Sequence, residues 1–300
     1  MKYFFLSSAE QGKNDVWRYF AAMLLATGLG LVGYLGVGLP MARAIARSTS
    51  IFEPIRLTPD LEEKLNPLSA NSLEISYIST HVAYGFFCIG LWLAVKQLHQ
   101  RKILTLISPD ASFQWQRFGL GFGLWFALAA IQTGIEFLYN PAAFVWNFQP
   151  SAWFIFLPWA LLLTPIQTST EEFLFRGYLL QGLGLLSRQP ILLTLMTSLP
   201  FAIAHFGNPE MARGAVWIGL TYLLMAAFLT LTTLQEDRLE LALGIHAANN
   251  LFLVLIVNTP DAALPTPALV LQQAPTNPPF TFVALLIAIA IFYGVVFRRL

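Results

Sequence analysis

The 300-residue sequence contains few charged residues. Asp, Glu, Lys and Arg together make up 11% of it, against about 25% in ordinary soluble proteins. Hydrophobic residues make up 56% and are grouped in long runs, so a lipid bilayer is the solvent that this composition fits. The formal net charge is +1, which gives no basic surface for nucleic acid. The composition therefore predicts a polytopic protein embedded in a lipid bilayer, with no nucleic-acid partner.

Cysteine is nearly absent as well, because Cys88 is the only one in the sequence. A single cysteine excludes an intramolecular disulfide bond and a metal site built from several cysteines. Histidine is also scarce, with four residues. Each ionisable side chain inside an apolar run therefore stands out, and an ionisable group at membrane depth is by default a functional hypothesis.

Eight apolar runs are candidates for transmembrane helices, each of which needs about 20 residues to cross the hydrocarbon core. The runs lack period-two alternation, which favours helices over a closed β-barrel. The fourth, fifth and seventh runs are shorter and more polar than the others. The sequence therefore predicts an all-α, polytopic membrane helical bundle with about eight transmembrane helices. The runs are Trp17–Leu39, Tyr77–Leu98, Phe118–Tyr139, Ala152–Thr168, Pro190–Phe206, Ala215–Leu234, Leu241–Asn258 and Phe280–Phe297.

Lys and Arg are distributed unequally between the two sets of loops that this topology defines. With the N-terminus inside, five of the 17 Lys and Arg residues fall on the outer side and the other twelve on the cytoplasmic side. Cytoplasmic loops of membrane proteins carry the excess of positive charge. The distribution therefore predicts that both termini are cytoplasmic. The five outer residues are Arg43, Arg47, Arg56, Lys64 and Arg213.

The chain is predicted to form one integral membrane domain with three consecutive parts. Residues 1–150 would contain the first three transmembrane helices, residues 151–260 the polar motifs described below, and residues 261–300 an outer loop and the last helix. The stretch Pro40–Ser76 is predicted to be a long loop with a short helix around Asp60–Leu65. No internal repeat is visible, which disfavours an inverted-repeat transporter.

The first polar motif, Glu-Glu-Phe-Leu-Phe-Arg-Gly at residues 171–177, follows the fourth run. At about 100° per residue, Arg176 lies near Glu172 on the helix surface and far from Glu171. Glu172 and Arg176 therefore form an i,i+4 pair with the favourable order, interpreted as a structural lock. Glu171 is left without a local partner, which suits a general base. The alternative is a solvated helix end in interfacial water.

Two further motifs lie on the fifth and seventh runs. His205 stands one helical turn after Phe201, close to a helix break expected at Pro200. His246 and Asn250 are four residues apart and share a helix face. A single histidine is more often a hydrogen-bonded core residue than a catalyst. The combination of two histidines, a carboxylate pair and an amide in short polar runs favours a functional site.

These side chains together permit hydrolysis. Glu171 could take a proton from water while His205 orients it, and His246 and Asn250 could donate hydrogen bonds to the oxyanion of a tetrahedral intermediate. Glu171, His205 and His246 could instead hold a divalent metal such as zinc that activates the water. The zinc-protease signature His-Glu-x-x-His is absent, and the sequence leaves both mechanisms open.

The ordered motifs Glu171-Glu172-x-x-x-Arg176, Phe201-x-x-x-His205 and His246-x-x-x-Asn250 resemble those of the CPBP intramembrane protease family. That family includes the type II CAAX prenyl proteases and bacteriocin-processing or self-immunity membrane proteins. The resemblance covers residues 150–260 and implies an endopeptidase that acts on a membrane-associated, in some relatives prenylated, protein or peptide near its C-terminus. It implies catalytic roles for Glu171, His205, His246 and Asn250. The short chain is similar to the prokaryotic branch, which implies a prokaryotic plasma membrane.

Two alternatives come from other functional classes. A non-catalytic membrane scaffold or self-immunity protein would need the fold but not Glu171. A proton-coupled transporter would use Glu136, His81 and Glu171 as a proton relay. The three ordered motifs favour the protease over both alternatives.

Overall fold

The structure, a computed structural model, describes residues 3–48, 70–273 and 277–298. Helices dominate this part of the chain, and short π-helical turns at Gly33–Gly38, Ala94–Leu98 and Phe173–Leu179 continue three of them. Single 3₁₀ turns occupy Ser8–Gln11, Ile103–Leu106, Pro141–Ala143 and Pro209–Arg213. The α-helices are α1 (Phe4–Ser7), α2 (Val16–Val32), α3 (Leu39–Ser48), α4 (Ala70–Leu93), α5 (Trp115–Tyr139), α6 (Pro150–Glu172), α7 (Leu180–Gly184), α8 (Pro190–Ala204), α9 (Ala215–Glu236), α10 (Glu240–Leu255) and α11 (Pro278–Val296).

The helices confirm the predicted polytopic membrane bundle, and each predicted span corresponds to a helix. Six helical segments of the described residues are long and apolar enough to cross a membrane. The helices in the fifth and seventh spans, α8 and α10, are apolar but shorter, with 15 and 16 residues. At 1.5 Å per residue, α10 is about 24 Å long and falls short of the hydrocarbon core. These two short helices carry three of the predicted site residues.

The predicted length of the fourth span is wrong, because the helix continues far beyond Thr168. It runs as one helical segment of 35 residues, Pro150–Gly184, through α6, the π-helical turn and α7. A π-helical turn inserts one residue into the helix without ending it, and such turns are frequent at functional sites. Glu171 therefore lies inside a long helix and not at its end.

Two further expectations concern helix limits. The helix break expected near Pro200 corresponds to the end of α8 at Ala204, one helical turn after this proline. The expectation of a long loop at Pro40–Ser76 is wrong. The stretch Pro40–Ser76 is helical at both of its ends, in α3 and at the start of α4. The short helix expected at Asp60–Leu65 lies outside the described residues.

A small sheet closes one end of the bundle. Its strands β1 (Phe144–Trp146), β2 (Val257–Asn258) and β3 (Val270–Gln272) have the order β1–β3–β2. β1 pairs with β3 in antiparallel orientation, whereas β2 pairs with β3 in parallel orientation. Two strands, β2 and β3, thus follow α10, and β3 lies in the segment predicted to be an outer loop. Because β2 directly follows α10, the sheet fixes the end of that helix.

Helix α10 lies at the centre of the bundle, and most of its side chains are buried. It packs most extensively against α5. A Cβ atom on Gly244 would lie 2.2 Å from the carbonyl oxygen of Phe118, and one on Gly121 would lie 2.5 Å from that of Leu241. Two glycines therefore allow α5 and α10 to approach closely, as is typical of membrane helix pairs.

The variant Gly244→Ala is expected to push α10 away from α5 and to lower the thermal stability of the protein in detergent. Overpacking of a close helix contact costs about 1–3 kcal/mol. Gly119→Ala is the matched control, because a Cβ atom there meets no described atom within 4 Å. Equal unfolding temperatures for the two variants would contradict the close contact.

Candidate active site

The predicted pairing of Glu172 with Arg176 is present and completely buried. Arg176 Nη1 donates to Glu172 Oε1 over 2.7 Å, and both side chains have 0% exposure. The guanidinium also donates to the carbonyl oxygen of Ala226 over 3.0 Å and lies 4.6 Å from the centre of the Phe201 ring. A buried charge needs such a set of partners to remain in a low-dielectric interior. Arg176 therefore ties the first motif to α9 and α8.

His246 connects the two glutamates. Its Nδ1 lies 2.7 Å from Glu172 Oε1, and its Nε2 lies 3.7 Å from Glu171 Oε2. Arg176 already donates to Glu172 Oε1, so this carboxylate accepts two hydrogen bonds, and Nδ1 carries the donated proton. An orienting carboxylate of this kind fixes the tautomer and the ring position of a histidine. Glu172 thus holds His246 with Nε2 turned toward Glu171.

Glu171 is positioned by Gln167, which stands one helical turn before it. Gln167 Nε2 donates to Glu171 Oε1 over 2.6 Å, and Asn250 Nδ2 donates to Gln167 Oε1 over 3.1 Å. Gln167 therefore joins Glu171 to Asn250. Glu171 Oε2 is buried and has no hydrogen-bond partner among the described residues. This oxygen is the one that lies nearest to His246.

His205 lies one aromatic ring away from this group. Its Nδ1 is 2.7 Å from the carbonyl oxygen of Phe201, so this nitrogen donates and the neutral ring presents Nε2 as an acceptor. The His205 ring stacks on Tyr222 with centroids 4.4 Å apart. Phe201 lies between the two histidines, 4.6 Å from the His205 ring and 6.1 Å from the His246 ring. Tyr222 in turn donates to Glu210 Oε1. This hydrogen bond holds the Tyr222 ring in its position against the His205 ring.

The structure therefore brings Glu171, Glu172, His246 and Asn250 into one connected group and places His205 beside it, behind Phe201. The candidate metal ligands Glu171, His205 and His246 are not assembled as a set. In the described part of the chain, no three His, Cys, Asp or Glu side chains have an arrangement that could hold a metal ion. The side chains present do not fit the three-ligand zinc site that the sequence left open, and no step proposed below uses a metal.

Glu136 and His81, the other two members of the alternative proton relay, are engaged in other hydrogen bonds. Glu136 accepts from Gln132 Nε2 and Gln272 Nε2, each over 3.1 Å, and thereby ties α5 to β3. His81 Nδ1 donates to the carbonyl oxygen of Tyr77 over 2.7 Å, and its ring stacks on that of Tyr77. These hydrogen bonds are made to partners outside the candidate site.

Three residues of the site were not recognised from the sequence. Gln167 could have been found, because it precedes Glu171 by four residues and shares its helix face. Tyr84, whose side chain interacts with the Glu171 carboxyl group, lies on a separate helix and gives no local signal. Tyr222 lies on α9, and only the three-dimensional structure shows that it stacks on His205.

The bundle of apolar helices thus buries two glutamates beside a histidine and a chain of side-chain amides. Comparison with known proteins specifies the class. The family model described as "Type II CAAX prenyl endopeptidase Rce1-like" matches residues 150–252. The chain is 38% identical over 248 residues to "Uncharacterized protein YyaK" of Bacillus subtilis (strain 168), across 82% of this chain and 80% of the relative. The chain belongs to the type II CAAX prenyl endopeptidase Rce1-like family.

The family match confirms the resemblance and identifies a CAAX-protease-like membrane protein. The six long apolar helices and the Bacillus relative agree with an integral protein of a prokaryotic membrane. No solved structure matches the chain. The matched segment extends from the start of α6 into α10 and contains all three motifs.

Proposed function

We propose that this protein is an intramembrane endopeptidase that cleaves a peptide bond near the C-terminus of a membrane-associated protein or peptide. The observation that carries the proposal is the buried Glu171 Oε2. This atom has no hydrogen-bond partner among the described residues and lies 3.7 Å from His246 Nε2. A positioned carboxylate oxygen with a free lone pair is what a general base requires.

Glu171 takes a proton from water at Oε2, and the water oxygen forms a bond to the carbonyl carbon of the substrate. The tetrahedral intermediate then collapses with cleavage of the C–N bond. Glu171 returns the proton to the nitrogen of the leaving amine, so that the products are a carboxylic acid and an amine. The hydrogen bond from Gln167 to Oε1 directs Oε2 toward the reacting water.

His246 and Asn250 stabilise the negative charge that develops on the carbonyl oxygen. In its protonated form His246 donates from Nε2, since Nδ1 is held by Glu172. Asn250 has one amide hydrogen engaged by Gln167 and a second one free to donate. Donors fixed in advance in a site with little water contribute strongly to catalysis, and removal of one donor typically costs about 10²–10³ in kcat.

His205 acts at the water. Because Nδ1 donates to the Phe201 carbonyl, Nε2 is the ring nitrogen left to accept a hydrogen bond from a water molecule. The stack on Tyr222 holds the ring in this plane. The position of the site within membrane helices and the family support the proposed substrate class, a polypeptide, prenylated or not, whose C-terminal region enters from the bilayer.

The proposal is tested with purified protein and a quenched library of prenylated and unmodified membrane peptides, with products mapped by mass spectrometry. Glu171→Ala and His246→Ala are expected to lower the cleavage rate at least about 100-fold, because general-base and oxyanion contributions are of that size. Glu10→Ala, which removes an exposed carboxylate, is the matched control. Equal cleavage by all four proteins would refute the catalytic assignment.

A further inference from the structure

A basic cleft lies where α4 ends and the chain turns toward α5. It has a volume of about 890 Å³, and its lining includes the side chains of Lys96, Arg101 and Lys102. Lys96 and Lys102 are exposed, whereas Arg101 is 9% exposed. In the described part of the chain, none of the three forms an ion pair with a carboxylate. The cleft therefore concentrates three uncompensated positive charges.

The acidic residue at the rim does not neutralise this charge. Asp110 lines the cleft, but its carboxylate pairs with Arg238 over 2.9 Å on another side. Hydrogen bonds from Ser108 and then Ser112 lower the pKa of Asp110 to about 2. Asp110 is thus ionised and already bound, and it leaves the three basic residues without a counter-ion.

The Arg101 side chain is held in place by hydrogen bonds and is not a freely solvated surface charge. Its Nη1 donates to Gln181 Oε1 over 2.8 Å, and Gln181 is held by the carbonyl oxygen of Thr105 over 2.7 Å. These bonds fix the direction of the guanidinium. Its Nε is buried and has no hydrogen-bond partner among the described residues. The guanidinium is therefore held at a fixed position in the wall of the cleft.

An apolar groove continues directly from the basic cleft. It has a volume of about 540 Å³ and shares Trp92 and Ile103 with the cleft. Its lining is mainly apolar and extends along α4 through Ile89 to Val82. Trp92 and Ile103 therefore mark the boundary between a charged compartment and an apolar one.

The boundary residues are typical of a membrane interface. Trp92 is 39% exposed, and Lys96 Nζ lies 5.1 Å from the centre of its ring. Tryptophan is enriched at the level of the lipid headgroups, and lysine near a helix end extends toward the same level. The cleft thus opens at headgroup depth, and the groove lies at the depth of the acyl chains.

We propose that the basic cleft and the apolar groove together bind an anionic phospholipid, with its phosphate headgroup at Arg101, Lys96 and Lys102 and an acyl chain in the groove. A phosphate supplies acceptors for the basic side chains that line the cleft, and guanidinium–phosphate hydrogen bonds are strong and directional. Basic pockets between transmembrane helices on the cytoplasmic side are sites for anionic headgroups.

The test is native mass spectrometry of the purified full-length protein in detergent with phosphatidylglycerol or phosphatidylcholine of the same acyl chains. Phosphatidylglycerol is expected to bind at least about tenfold more tightly. Lys96→Gln/Lys102→Gln is expected to weaken its binding about 30-fold, because each basic residue near an anionic lipid contributes about fivefold. Arg188→Gln/Arg298→Gln removes the same charge outside the cleft and is expected to bind like the wild type.

The groove is tested with dihexanoyl phosphatidylglycerol, which keeps the headgroup but has short chains, and with inorganic phosphate as a competitor. The short-chain lipid is expected to bind several-fold more weakly, and phosphate alone is expected to displace the long-chain lipid poorly. Equal affinity for the two headgroups, or unchanged binding in the Lys96/Lys102 variant, would overturn the site. Full displacement by millimolar phosphate would overturn the role of the groove.

Discussion

Replacement of Arg176 by methionine is expected to lower the free energy of unfolding by about 3–5 kcal/mol. Methionine keeps most of the side-chain volume but removes the guanidinium charge that faces the buried Glu172 carboxylate at 2.7 Å. Removal of one partner from a buried ion pair leaves an uncompensated charge and costs about this amount. The measurement is thermal or denaturant unfolding of the purified protein in a fixed detergent, with the wild type in parallel.

Two variants show whether the lost charge is the cause. Glu172→Gln/Arg176→Met removes both charges while the amide oxygen can still accept from His246, and it is expected to recover much of the lost stability. Arg188→Met removes an exposed partner of Glu10, and such surface pairs contribute less than about 1 kcal/mol. If Arg176→Met and Arg188→Met unfolded alike, the buried pair would not be a structural lock.

Replacement of Glu172 by glutamine is expected to lower kcat by about 10²–10⁴ with little change in KM. The sequence alone gave Glu172 only the role of a lock, but its Oε1 also lies 2.7 Å from His246 Nδ1. A glutamine can present its amide NH2 group to Nδ1 and thereby favour the His246 tautomer that carries its proton on Nε2. Losses of this size follow when an orienting carboxylate is replaced. The measurement is steady-state cleavage of the best substrate from the peptide library.

A purely structural role for Glu172 would give a different result. In that case kcat of the folded Glu172→Gln protein would equal that of the wild type, and only its unfolding temperature would change. Glu236→Gln is the matched control, since Glu236 is ion-paired with Arg117 outside the candidate site. Its kcat is expected to remain at the wild-type value. A pH profile of kcat that shifts in Glu172→Gln but not in Glu236→Gln would identify Glu172 as a positioning residue.

Much of this fold could be predicted from the sequence, because long apolar runs have one stable form in a bilayer. The helix around Trp125 and the last helix begin within three residues of the predicted limits. The failure at the fourth span has a physical cause: Glu171, Glu172 and Arg176 appear too polar for a continuing helix. Glu172 and Arg176 compensate each other's charge, and α8, α9 and α10 supply further partners for this pair that sequence hydropathy does not register.

The candidate site could be predicted only where its partners share one helix. The Glu172–Arg176 pair and the common face of His246 and Asn250 follow from helical spacing. The contact of His246 with both glutamates joins residues 74 and 75 positions apart, and no local pattern contains it. For the same reason the sequence left His205 among the metal candidates, whereas the fold places Phe201 between it and His246.

The central claim is that Glu171 Oε2 is the base that activates water. The most direct measurement is the cleavage rate of Glu171→Gln, which keeps the shape of the side chain and the possibility of a hydrogen bond with Gln167 but removes the basic oxygen. The predicted result is a correctly folded variant with an unchanged unfolding temperature. Its cleavage rate is expected to be at least about 100-fold below that of the wild type. A correctly folded Glu171→Gln protein that cleaves the same bond at the wild-type rate would contradict the account.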